Sequence, residues 1–189
     1  MTGCTSQNAS DNTQPAEPVN NIATESPKFT ESKEERVYSI VKEINIEEKM
    51  KEILPIIANI NWHTYNETSG EQTRELIEFL YLNQKYIDTA HFPDIILATK
   101  GLDGAWSESF AAIVGGLFTR DRDEFIKALA DTKDITQQES VIGLIAYNLN
   151  YQDVKPIIEE LDQLSKSEKY TASEKVVIDS LILELKDPY

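Results

Sequence analysis

The chain holds one cysteine, two histidines, seven glycines and seven prolines among 189 residues, and its 18 Lys and Arg are outnumbered by 33 Asp and Glu. A single cysteine excludes an intrachain disulfide framework and a cysteine zinc cluster, so a packed core has to stabilise the fold. No apolar run reaches the roughly eighteen residues a spanning helix needs, which excludes a transmembrane helix within this sequence. A net charge of -15 repels phosphate backbones and anionic lipid surfaces, so nucleic acid is not an expected partner. Catalytic elements are scarce as well. No Gly-x-Ser-x-Gly or Ser-x-x-Lys element stands in a suitable context, and Gly101-Leu102-Asp103-Gly104 is too short to cradle a phosphate and has no following lysine. The expectation is a non-enzymatic protein with no catalytic residue, no resident metal and no cofactor.

Two parts are expected: a tail over residues 1–29 and one folded domain over 30–189. From Thr5 to Phe29 the chain is dominated by Asn, Gln, Ser, Thr and Pro and has neither a helical nor an alternating period. Such a segment cannot bury enough apolar surface to offset its ordering entropy, and disorder is expected. The lone cysteine stands at its head, in Thr2-Gly3-Cys4. That triplet, followed by a polar tether, resembles the end of the lipobox of bacterial lipoproteins. In that family the cysteine becomes the N-terminus after signal cleavage and carries the lipid. The resemblance implies acylation of Cys4 and a bacterial cell-envelope location, with the membrane met only through the lipid anchor. The upstream leucine and signal peptide of the family pattern do not stand in this sequence, and an ordinary free cysteine in a cytosolic tail is the alternative.

Beyond Thr30 apolar residues recur at three and four, which predicts an all-α domain of about nine helices. The first opens at Thr30-Glu31-Ser32 with Val37, Ile40, Val41 and Ile44 on one face. The second is capped by Asn45 and runs from Ile46 to about Asn59, where Pro55 should kink or divide it. A third follows Ser69-Gly70 with Leu76, Ile77, Phe79, Leu80 and Ile87 inward, and a short fourth starts at Phe92-Pro93-Asp94 and stops at Gly101. The remaining five run over 106–118, 121–130, 136–149, 151–164 and 171–185. Short connections make sequential helices antiparallel neighbours.

The later helices repeat. Ser107-Glu108-Ser109-Phe110, Gln138-Glu139-Ser140-Val141 and Ser173-Glu174-Lys175-Val176 align, and the first two units also match at Ala112 with Gly143, Ile113 with Leu144, Phe118 with Leu149, Asp121 with Asp153, Phe125 with Ile157 and Leu129 with Leu161. Hairpins of roughly 31 to 35 residues lie in the range of helical solenoids. The pattern resembles a short tetratricopeptide-like or HEAT-like array, although the Leu-Gly and Tyr signature of the tetratricopeptide family is not met. The resemblance implies stacked antiparallel hairpins with a concave binding face.

Glu108, Glu139 and Glu174 are read as first-turn charges that favour the helix macrodipole, and Asp121 to Glu124 as a solvated helix start. Asn61 to Asn66 is read as a loop whose Trp62 and Tyr65, together with Trp106 at a helix start, are the candidate partner contacts, because such rings supply large area at low entropy cost. Gly115-Gly116 inside the fifth helix predicts a closely crossing neighbour. The expected function is an envelope lipoprotein whose acidic domain binds a basic protein, as an adaptor, an assembly factor or an immunity protein that neutralises a toxin. The rivals are a metal-dependent ligand binder or enzyme centred on His63 and His91, and a cytosolic helical-repeat scaffold. Mass spectrometry of the N-terminal peptide, from protein expressed from its complete open reading frame, should find Cys4 N-terminal and acylated. An uncleaved, unmodified peptide sinks the lipoprotein reading.

Overall fold

Side-chain caps start the helices close to where the sequence pattern places them. At the head of α1 (Lys33–Val41) the Glu35 amide donates to the Ser32 hydroxyl at 3.1 Å, and the Ser32 amide donates to the Glu35 carboxylate at 2.7 Å, a reciprocal capping box. Asn45 caps α2 (Ile46–Ile57), Asn61 caps α3 (Trp62–Ser69), and Asp134 caps α8 (Ile135–Leu149). Thr171 and Glu174 form a second capping box on α10 (Ala172–Lys186). The computed structural model describes residues 31–42 and 45–187. Completing the order are α4 (Thr73–Leu82), α5 (Phe92–Ala98), α6 (Gly104–Arg120), α7 (Arg122–Ala130), α9 (Val154–Lys166) and two 3₁₀ turns, Gln84–Tyr86 and Thr89–His91. No strand occurs among the described residues, and the protein is all-α. The tail with Cys4, and Ile44, lie outside the described residues.

The helices stack as antiparallel hairpins. α4, α6, α8 and α10 pack side by side in one row; α2, α5 and α7 form a second, and α10 also meets α7 and α9. α1 packs on α2 and α3, and α3 on α4. The core lies between the rows. Phe92 and Phe125 rings meet at 5.0 Å, Phe125 and Phe118 at 6.4 Å, and all three are fully buried. A side chain of that kind, moved wholly out of water, contributes about 1.5–3 kcal/mol.

Several expectations need correction. Asn61 to Asn66 is helix, not loop: Asn61 caps α3, and Gly70, at a left-handed φ of 68°, ends it. There are thus ten α-helices among the described residues rather than nine. Pro55 does not divide α2, because it falls in the last turn and its missing N–H leaves only the exposed Lys51 carbonyl without a helical donor. Ile87 is buried, but as the extended residue just after the 3₁₀ turn that follows α4. α6 begins at Gly104 and α8 at Ile135, which puts Glu108 and Glu139 in the second turn, and only Glu174 caps. The amide and then the hydroxyl of Thr171 hold the Glu174 carboxyl below its ordinary pKa. For the same reason the third repeat unit is out of register: Phe110 and Val141 are buried, whereas Val176 is 59% exposed. Asp123 is not simply solvated either. Lys169 and the Tyr170 hydroxyl, just ahead of α10, both bond its carboxylate and hold its pKa low.

The Gly115-Gly116 pair shows the expected close approach. A Cβ at Gly115 would lie 2.2 Å from Asn148 Oδ1 and 2.7 Å from Asn148 Cβ on α8, whereas one at Gly116 would meet only the Gln84 side-chain tip, at 2.5 Å. Gly115→Ala should therefore force α6 and α8 apart and cost about 1–3 kcal/mol in chemical denaturation. Gly116→Ala should be near neutral, because Gln84 can swing away and alanine regains about 1 kcal/mol of helix propensity. Equal losses for the two would refute the α6–α8 contact as the reason for the glycines.

Candidate functional site

α6, lying between α4 and α8 in its row, carries small side chains on its open side. Ala105 and Ser109 of α6 are exposed and Ala112 is half-buried, while Phe110, Ile113, Val114 and Leu117 of the same helix face the core. A shallow trough results. On the α4 side, Arg74, Glu78, Tyr81 and Trp106 wall a cleft of about 210 Å³ over Ser109 and Ala112. On the α8 side, Gly143, Leu144 and Tyr147 face Gly104, Ser107 and Glu108 across a second cleft of about 340 Å³. Gln84, lying over Gly116, closes one end.

The electrostatics of this face are one-sided. From Gly101 to Thr119 and from Asp134 to Val154 the sequence contains no Lys or Arg. The acids lining the two clefts are Glu78 and Glu108, and the base among these lining residues is Arg74 at the α4 edge. Tyr147 and Tyr151 stack edge to face at 5.4 Å and share a hydrogen bond at 2.8 Å between their hydroxyls. That bond first, then burial and the Glu108 carboxylate, push the Tyr147 pKa up to about 12.

The three aromatic candidates separate. Trp62 is 5% exposed and Tyr65 1%, both inside the core. The Trp62 ring meets Tyr65 at 6.3 Å and Phe110 at 6.0 Å edge to face, and its Nε1–H donates to the Ala98 carbonyl at 2.7 Å. Burial also raises the Tyr65 hydroxyl's pKa. Trp106 alone of the three lies half-open, as a partition between the α4 cleft and a polar one of about 240 Å³ that reaches His63, Asn66, Thr73 and Asp103. Cys4 is outside the described residues. The trough residues Tyr81, Leu144 and Tyr147 were not singled out from sequence. The one available signal was the exposed Ala, Ser and Ala of α6 at spacings of four and three, which reads equally well as a solvated face.

The histidines stand apart. His63 is 83% exposed with Nε2 at 3.4 Å from Glu67 one turn on, and His91 Nδ1 lies 2.8 Å from the Asp94 carboxylate. Each ring has its own acid, and no group of three His, Cys, Asp or Glu among the described residues is placed to hold a metal.

The Tyr147 shift has a definite sign. A tyrosine whose folded pKa lies above its ordinary value of about 10 adds stability that is complete below that pH and is lost as pH rises toward about 12. In a spectrophotometric titration Tyr151→Phe should move the Tyr147 midpoint down toward 10; an unmoved midpoint would rule out the shared hydrogen bond as its main cause. No protein-family model matches the chain, and neither a curated protein nor a solved structure is significantly similar to it.

Proposed function

We propose that this protein is a lipid-anchored lipoprotein of a bacterial cell envelope whose acidic helical-repeat domain binds a basic protein partner without catalysing a reaction. Acylation of Cys4 in Thr2-Gly3-Cys4 would supply the membrane attachment, and the polar stretch after it would let the domain reach over the surface. The observation that carries the binding half is the open trough on α4, α6 and α8, with aromatic walls, a small-residue floor and no base on α6 ahead of Arg120 or anywhere on α8. Aromatic rings around a shallow depression are the usual anchors of protein interfaces. Acidic charge of this density speeds capture of a basic partner and makes the association fall with salt. A toxin-neutralising immunity protein is one form of this function, and an adaptor or assembly factor is the other.

Trp106 sits where such a partner would touch, so a photo-crosslinking amino acid at position 106, introduced in the native host, is the direct test. Mass spectrometry should recover one polypeptide of net positive charge, and the purified pair should bind more weakly by at least tenfold between about 50 and 200 mM salt. Failure to crosslink any protein, or an affinity indifferent to salt, counts against the proposal.

A further inference from the structure

The trough has a shape that selects among protein ligands, and this step rests on the binding reading above. Ala105, Ser109 and Ala112 are spaced by four and three residues along the open side of α6, the interval at which the side chains of a second helix descend between those of the first. Taller groups stand on both sides, Tyr81 and Trp106 toward α4 and Leu144 and Tyr147 toward α8. The side chains on this line are shorter than the rings and the leucine beside it. An incoming backbone can come close to α6 only along this line.

An extended peptide has little to gain there. The trough is walled by helices, whose amides and carbonyls are bonded within themselves, so no sheet edge offers the main-chain bonds by which strands are normally captured. A helix satisfies its own backbone and needs only side-chain contacts. The open floor from Ala105 to Ala112, closed at Gly116 by Gln84, is about two helical turns long. Charge settles the flanks of the ligand: Glu78 lies along one wall and Glu108 along the other, and among the residues lining the two clefts Arg74 at the outer edge is the base.

The geometry points to a helix-receiving groove on α6, whose occupant is a basic amphipathic helix of the partner protein, with a small or aliphatic seam against Ala105, Ser109 and Ala112 and Lys or Arg on both flanks. Recognition of this kind reads the ligand at positions i, i+3 or i+4, and i+7.

The test uses the whole chain and a fluorescent synthetic peptide of about four helical turns, with an Ala and Leu seam and Lys on both flanks, beside its counterpart with Glu at the flanks. Anisotropy should show the Lys peptide binding and the Glu peptide not. Ala112→Trp, which fills the floor, and Glu108→Lys, which reverses an exposed charge and leaves the packing intact, should each weaken the Lys peptide at least about tenfold. Amide shift changes should cluster on α4, α6 and α8. If the Lys peptide binds both variants like the parent, or its footprint lies at the Asp121–Glu124 cleft instead, the groove is wrong while a basic partner stands. If neither peptide binds at low salt, the groove and the wider binding reading fall together.

Discussion

The carbonyl ends of the helices are the constraint on which this architecture depends. A helix leaves its last carbonyls without intrahelical donors, and burying them unpaired costs about 1–3 kcal/mol each. Glycine turns are the usual remedy, and this chain has only seven glycines. Side chains from other helices donate instead. Lys49 of α2 reaches the Val41 carbonyl at 2.7 Å, and Lys33 of α1 reaches that of Asn59 beyond α2. At the end of α5 the Trp62 indole donates to Ala98, while the Gln137 amide donates to Ile96 at 2.8 Å and also to the Thr99 hydroxyl. Gln138 serves the Leu129 carbonyl of α7 in the same way at 2.8 Å. Two adjacent glutamines of α8 thus terminate two successive helices of the other row, and α5 is clasped from both directions along the chain.

That arrangement leaves α6 crowded on three sides. It meets α4, α7 and α8, and its Gly115 admits the Asn148 side chain so that α6 and α8 close on each other. Arg120 at its end donates to the Gln84 carbonyl at 2.8 Å and the Ile87 carbonyl at 2.5 Å, holding the 3₁₀ turn against the helix. Phe110, Ile113, Val114, Leu117 and Phe118 fill most of the packed surface, while Ala105, Ser109 and Ala112 lie on the open side. The trough is the remainder of this packing, walled by Tyr81 of α4, Leu144 and Tyr147 of α8 and by Trp106 of α6 itself. Its depth is consequently as rigid as the row itself.

Much of the fold was legible in the sequence because helix periodicity and capping are local. The starts at Ser32, Asn45 and Thr171 could be read from a polar side chain ahead of an apolar run, and the shared burial of Phe110 with Val141, Phe118 with Leu149 and Leu129 with Leu161 follows the repeat spacing, although Leu144 and Ile157 are only half-buried where Ile113 and Phe125 are fully buried. α3 was missed because Trp-His-Thr-Tyr-Asn-Glu-Thr-Ser has low intrinsic helix propensity and only eight residues, although Asn61 and Gly70 bracket it and Trp62, Tyr65 and Ser69 fall on one buried face. The two rings read as a partner surface were core for the same reason. An aromatic pair in a supposed loop looks exposed until the helix beneath it is known.

What the sequence determined by itself was the all-α class, several of the helix starts and the acidity of the chain, since each depends on neighbours in sequence or on composition. Tertiary structure alone decided that Trp62 and Tyr65 turn inward, that Glu108 and Glu139 are a turn too late to cap, and that Ala105, Ser109 and Ala112 form a floor. Those outcomes depend on which helices lie alongside. A side chain's height above its neighbours, and the donor that meets a carbonyl dozens of residues away, have no counterpart in local spacing.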